Sequence, residues 1–67
     1  MEITVNNKPF TLIGAFSITR LLLDVLQIPA TGIAVAVNQT IVSKSVWSDY
    51  LLKPGDQLVL IKATQGG

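Results

Sequence analysis

The chain has 67 residues, of which 49% are hydrophobic and 13% charged, with a formal net charge of +1. This balance predicts one small folded domain and excludes a disordered segment, which needs low hydrophobicity and high charge. Cysteine and histidine are both absent, which removes disulfides, thiolate nucleophiles, the commonest general base and the usual zinc ligands, so we expect neither self-contained catalysis nor a metal site.

Two short strands joined by a tight turn are predicted at the start of the chain. Apolar and polar residues alternate over residues 1–5, which is the period-two pattern of a half-buried strand. Asn6 and Asn7 follow, and asparagine tolerates the left-handed backbone that tight hairpins require. The second strand is predicted over residues 8–13. Pro9 cannot donate a ladder hydrogen bond, so this strand should lie at a sheet edge.

An amphipathic helix is predicted next. Ser17 is a suitable helix N-cap, and Pro29 with Gly32 should end the element. Because a chain this short has no other helix to cover its sheet, the apolar stripe of this helix should pack in the core rather than bind a partner. The stripe has helical spacing and consists of Ile18, Leu21, Leu22, Val25 and Leu26.

Another hairpin follows the helix. Residues 33–37 form a continuous apolar run, which predicts a buried central strand with Ala34 and Ala36 on one face. Asn38 and Gln39 give a second turn signal, and residues 40–42 should form a short strand.

The last part of the chain combines an irregular segment with a final strand. Residues 43–53 are predicted to be irregular or briefly helical, and the Lys-Pro-Gly-Asp sequence at 53–56 is a strong turn signal. In a strand over residues 57–62, Leu58 and Leu60 should face the core, which leaves Val59 and Ile61 on the other side of the sheet.

Val59 and Ile61 would adjoin Ala34 and Ala36 if the two strands are neighbours. The four residues would then form a flat apolar patch close to the end of the chain, and such patches commonly mark partner sites. The alternative interpretation is that these are scattered surface apolar residues, which are normal in proteins.

The residues after the last strand contain nothing that would pack on a core. We therefore divide the chain into a folded domain over residues 1–62 and a flexible C-terminal tail over 63–67. Glycine lacks a Cβ and fits narrow channels, so Gly66 and Gly67 make a threadable end whose carboxylate a partner can convert to an acyl-adenylate. Thr64 and Gln65 are predicted to contact that partner with Gly66. The alternative is a frayed end or a remnant of cloning.

The distribution of charge and apolar residues limits the classes of partner. The five basic residues are dispersed, whereas nucleic acid requires several clustered phosphate contacts. No apolar run approaches the length of a membrane span. We therefore expect a cytoplasmic protein with neither nucleic-acid nor membrane partners.

The order hairpin, helix, further strands and a last strand leading into Gly-Gly is that of the α+β ubiquitin-like β-grasp fold, a mixed four- to five-stranded sheet packed on one main helix. On these elements the chain resembles the ThiS family of bacterial sulfur carrier proteins of thiamine biosynthesis, and the resemblance covers essentially all 67 residues. The motifs that carry it are Val35-Ala36-Val37-Asn38-Gln39-Thr40-Ile41-Val42, Trp47, Gly55-Asp56-Gln57-Leu58 and Gly66-Gly67.

The resemblance implies a carrier protein that acts as a co-substrate rather than an enzyme. An E1-like adenylating enzyme, ThiF-like, would activate the carboxylate of Gly67 with ATP and magnesium that the enzyme binds, so that this chain itself holds no cofactor. A desulfurase or sulfur-relay protein would then supply the sulfur of a thiocarboxylate on Gly67. A thiazole synthase, ThiG-like, would consume it.

One departure and three alternatives accompany this interpretation. Relatives often carry Pro-Arg where this chain has Ser43 and Lys44, which keeps a positive charge without the rigid proline. The small subunit of molybdopterin synthase shares the fold, the tail and the thiocarboxylate. A ubiquitin-like protein modifier would join the activated glycine to a lysine, and a binding-only β-grasp module would have inert glycines.

Overall fold

A computed structural model describes residues 1–29 and 31–62 of the chain. Five strands form one mixed sheet in the order β2-β1-β5-β3-β4. β1 pairs in parallel with β5, and the other neighbours are antiparallel. The strands are β1 (Glu2–Val5), β2 (Lys8–Thr11), β3 (Ile33–Val37), β4 (Thr40–Val42) and β5 (Gln57–Lys62).

Both hairpins are closed by the two-residue turns that the asparagines predict. Asn6 and Asn7 have φ values of 49° and 68°, and Asn38 and Gln39 have 51° and 71°. Two successive residues with positive φ match the right-handed twist of the strands that they join. The turns therefore set the register of each hairpin, with Val37 opposite Thr40 in the second one.

The predicted second strand is two residues too long. β2 lies at the sheet edge, as Pro9 predicts, but it ends at Thr11. Leu12 is buried and its N–H still donates to the carbonyl of Met1 at 2.7 Å. Ile13 has no residue of β1 opposite it and is 89% exposed, so the ladder stops there.

The predicted helix is present but not regular. The hydroxyl of Ser17 accepts a hydrogen bond from the backbone of Arg20, and α1 (Ile18–Arg20) continues as a π-helical segment, Leu21–Leu26. A π-helix has wider turns than an α-helix, so the apolar stripe does not keep its 3.6-residue spacing. Consequently Leu21 and Leu22 are fully buried, whereas the last two stripe positions are only partly buried.

One core lies between the helix and one face of the sheet. Along the strands, the residues that belong to this core alternate with residues of the opposite face and point toward the helix. Trp47, which follows a short 3₁₀ turn over Lys44–Val46, also packs in the core. The indole Nε1 of Trp47 donates to the carbonyl of Val42 at 2.9 Å, which satisfies its one polar atom. The residues buried most completely are Ile3, Ile18, Leu21, Leu22, Val35 and Leu58.

A buried carboxylate ties the second hairpin to the turn before β5. Asp56 is 7% exposed; its Oδ2 accepts from the backbone N–H of Lys53 at 2.8 Å and its Oδ1 from Nδ2 of Asn38 at 3.0 Å. The Oδ1 of Asn38 in turn accepts from the backbone of Gln57 at 2.9 Å. These bonds hold the start of β5 beside the end of β3.

Replacing Asp56 with alanine should lower the free energy of unfolding by about 2–3 kcal/mol, because two donors lose a charged acceptor in a largely buried place. Urea unfolding followed by circular dichroism measures the change. Asp49 is exposed, so Asp49→Ala is the matched control and should change stability by less than about 0.5 kcal/mol. Equal effects of the two substitutions would contradict the proposed role of this network.

Candidate functional site

The sheet has an outer face, directed away from the helix, whose half over β5, β3 and β4 is apolar. Antiparallel pairing places Ala34 opposite Ile61 and Ala36 opposite Val59. On the other side of β3, Ala36 lies opposite Ile41. We call these five residues the outer patch. They come from three neighbouring strands and form one continuous surface.

Exposure differs within the outer patch according to side-chain size. Ile41, Val59 and Ile61 are 63%, 46% and 48% exposed, whereas Ala36 is 7% exposed. Ala34 and Ala36 therefore form a low floor beside Val59 and Ile61, with Ile41 on the other side of Ala36. Three exposed aliphatic side chains so close together form a contiguous apolar patch rather than scattered residues, and such a patch commonly marks a protein interaction site.

The other half of the outer face, over β1 and β2, is polar. The residues of β1 and β2 on this half alternate along their strands with residues of the opposite face. The first residue of β5 belongs to this half as well. Glu2 is the one charged residue among the strand positions of the outer face that the structure describes. The polar half consists of Glu2, Thr4, Pro9, Thr11 and Gln57.

The patch residues predicted from the sequence are brought together, and one member was missed. Val59 and Ile61 share the face of Ala34 and Ala36, as expected if β3 and β5 are neighbours. Ile41 was not predicted as a site residue. The hairpin register could have identified it, because a two-residue turn at Asn38 and Gln39 places residue 41 opposite residue 36.

β3 is a central strand of the sheet, as predicted, because it lies between β5 and β4. The middle strand of the five is β5. The apolar run indicated burial on both faces, but no layer covers the outer face of β3. Ala36 is buried there because it is small and lies between Val59 and Ile41.

The tail residues predicted to react with or contact a partner, Thr64, Gln65, Gly66 and Gly67, lie outside the described residues, as does the predicted division at residue 62. β5 runs directly into this segment. Five residues span at most about 16–18 Å when fully extended. Gly67 therefore cannot lie farther than that distance from Lys62.

Two further kinds of site were sought among the residues that the structure describes. Within residues 1–29 and 31–62, no group of three or more His, Cys, Asp or Glu side chains is placed to hold a metal ion. In the same ranges, no helix is both long and apolar enough to cross a membrane. Trp47 is in the core.

The sheet order, the parallel pairing of β1 with β5 and the helix packed on one face of the sheet define a protein of the ubiquitin-like β-grasp class. The family model described as "ThiS family" matches residues 3–67. The chain belongs to the ThiS family.

Relatives and solved structures agree with this assignment. The sulfur carrier protein ThiS of Escherichia coli (strain K12) is 37% identical over 46 residues, which cover 69% of this chain and 70% of that protein. The crystal structure of the thiamine biosynthesis protein ThiS from Geobacter metallireducens matches with a TM-score of 0.86 and 28% identity, covering 100% of both chains. A solution structure of a thiamine biosynthesis protein from the same organism matches with a TM-score of 0.72 and 27% identity, covering 100% of this chain and 88% of that one.

Proposed function

We propose that this chain is a sulfur carrier of thiamine biosynthesis whose reactive group is the carboxylate of Gly67. The observation that carries the proposal is the family match, which extends over residues 3–67 and so includes Gly66 and Gly67. The E. coli relative is named a sulfur carrier protein. The chain then acts as a protein co-substrate rather than as an enzyme, in the cytoplasm where ATP is available.

The first step is adenylation of the tail by an E1-like enzyme. An oxygen of the Gly67 carboxylate attacks the α-phosphorus of ATP, and pyrophosphate leaves with its bond to that phosphorus broken. The enzyme binds ATP and magnesium, since this chain needs to supply only the carboxylate. The absence of a side chain on Gly66 and Gly67 lets the tail enter a narrow channel. Thr64 and Gln65 contact the channel entrance.

The second step replaces the adenylate by sulfur. A persulfide sulfur from a desulfurase or relay protein attacks the acyl carbon, and AMP leaves. A thiol then attacks the other sulfur of the acyl disulfide, which forms a protein disulfide and releases the thiocarboxylate. The chain has no cysteine of its own, so neither the persulfide nor that thiol comes from this protein. Thiazole synthase finally takes the sulfur for the thiazole ring, and water restores the carboxylate.

The outer patch is the docking surface for these partners. Val59 and Ile61 belong to the strand that leads into the tail, and their neighbours Ala34 and Ala36 leave a low floor for a partner's apolar side chains. A partner bound on this surface would hold the tail near its own active site. Such positioning turns a bimolecular reaction into an effectively intramolecular one.

Intact-mass spectrometry tests the proposal directly. The chain is incubated with an E1-like enzyme, magnesium, ATP, cysteine and a cysteine desulfurase, and the expected product is heavier by one sulfur in place of one oxygen on Gly67. No gain with an enzyme that is active on its own carrier would contradict the proposal. Adducts on target lysines would indicate a protein modifier. Consumption of the product by the large subunit of molybdopterin synthase but not by thiazole synthase would indicate the molybdopterin pathway.

A further inference from the structure

A second apolar surface lies on the helix side of the sheet, at the end from which β5 leads into the tail. It is a groove of about 560 Å³ between the segment after the helix and the ends of β3 and β5. We call it the end groove. Its apolar walls include Ile28, Pro29, Ile33 and Leu60, and the exposed residues Thr31 and Lys62 also line it.

The end groove has a volume similar to that of known binding pockets. Its volume is within the range of about 300–1,000 Å³ that is usual for binding pockets. Ile28, Ile33 and Leu60 are only partly buried, although they pack against the core cluster. Covering them would remove further apolar surface from water, which is favourable. The groove is therefore suited to an apolar side chain rather than to a polar ligand.

Lys62 indicates the charge of the occupant. In the part of the chain that the structure describes, the one ion pair is between Arg20 and Asp24, so no acid there pairs with Lys62. An ammonium group beside an apolar groove is complementary to an apolar side chain that has a carboxylate next to it. Charge complementarity of this kind sets specificity and association rate.

The position of the end groove indicates which protein supplies that occupant. β5 presents Val59 and Ile61 to the outer patch, whereas Leu60 and Lys62 line the end groove. The same strand thus contributes to apolar surfaces on both sides of the sheet just before the tail. A protein that holds the carboxylate of Gly67 must lie within about 16–18 Å of Lys62, close enough to reach both surfaces.

We propose that the end groove receives an apolar side chain, flanked by a carboxylate, from the enzyme that adenylates the tail. This inference rests on the proposed function, since it assigns a second contact to the same activating partner. The enzyme then holds β5 on both faces, with the outer patch on one side and the end groove on the other. The tail would leave the domain between the two contacts.

Steady-state kinetics of adenylation, followed by pyrophosphate release, tests the two halves of the groove separately. Lys62→Glu should raise the KM for this chain about tenfold at low salt, with less effect at high salt. Thr31→Trp, which fills the groove from an exposed position, should also raise KM about tenfold. In both variants kcat should stay within about twofold, because the tail itself is unchanged. Thr31→Tyr replaces Thr31→Trp if the latter does not fold by circular dichroism.

Two control variants introduce the same charge change and the same indole side chain at positions that do not line the end groove. Lys53→Glu makes the same charge change before the other end of β5, and Ser48→Trp adds an indole near the start of the helix; both should leave KM unchanged. An unchanged KM in the Lys62 and Thr31 variants overturns the inference. An effect of Lys62→Glu alone also overturns it, because the charge would then act on the tail.

Two further outcomes are distinguishable. If sedimentation shows that the wild-type chain dimerises and that Thr31→Trp abolishes the dimer, a second copy occupies the groove and the inference is wrong. If the wild-type chain is not adenylated at all, the proposed function fails first. If the wild-type chain is adenylated normally and the KM values of the Lys62 and Thr31 variants are unchanged, the inference is wrong but the proposed function still stands.

Discussion

A chain that lacks Gly67 is expected to bind its activating enzyme as tightly as the full chain and to form the thiocarboxylate at least about 100-fold more slowly. Deletion moves the carboxylate back by about 3.3–3.6 Å, whereas a misplacement of about 1 Å already costs about two orders of magnitude. The outer patch and the end groove are unchanged, so affinity should persist. Calorimetric titration measures binding, and intact-mass spectrometry measures conversion.

Two variants of the same tail separate length from shape. Gly67→Ala keeps the length but adds a Cβ, and it should react more slowly than wild type if the enzyme's channel fits only glycine. One alanine added after Gly67 moves the carboxylate in the opposite direction and should also react poorly. Conversion of the deletion variant at the wild-type rate would show that the chemistry does not depend on the position of this carboxylate.

Val59→Asp should weaken binding to the activating enzyme by about 30- to 1,000-fold, equivalent to about 2–4 kcal/mol for a central interface residue. Val59 lies beside Ala36 within the outer patch and is 46% exposed. A carboxylate there would have to leave water on complex formation without a partner for its charge. In the free domain it stays hydrated, so the fold should survive with a loss of about 1 kcal/mol at most from strand propensity.

Gln57→Asp is the matched control for this substitution. Gln57 belongs to the same strand and the same face, but it lies in the polar half and is exposed. The added charge is identical, whereas the apolar contact is not affected. Binding should therefore change less than about threefold, as for a rim charge. Similar losses for Gln57→Asp and Val59→Asp would mean that the enzyme recognises general charge rather than the outer patch.

Local sequence signals predicted most of the fold because they rest on local physics. Paired residues that tolerate positive φ marked both hairpin turns, and each turn determined the register of its strands. Ser17 marked the start of the helix through a hydrogen bond to the third residue after it. The alternation of residues 57–62 correctly separated the buried Leu58 from the exposed Val59 and Ile61.

The features that the sequence did not predict depend on contacts between distant segments. The π-helical turns of Leu21–Leu26 arise inside a stripe whose spacing is ordinary for an α-helix. The middle position of β5 depends on its parallel pairing with β1, which no local sequence motif predicts. The end groove likewise combines the segment after the helix with the ends of two strands. Ile41 is different, because the turn already contained the information needed to place it.

The central position of the final strand has a consequence for synthesis of the protein on the ribosome. β1 with β2, and β3 with β4, can each form a hairpin as the nascent chain emerges, but only β5 joins the two halves into one sheet. A translation product that stops before β5 cannot complete its core and is exposed to cellular proteases. The sheet and its core can therefore be completed only after β5, the strand that leads toward the diglycine, has been synthesised.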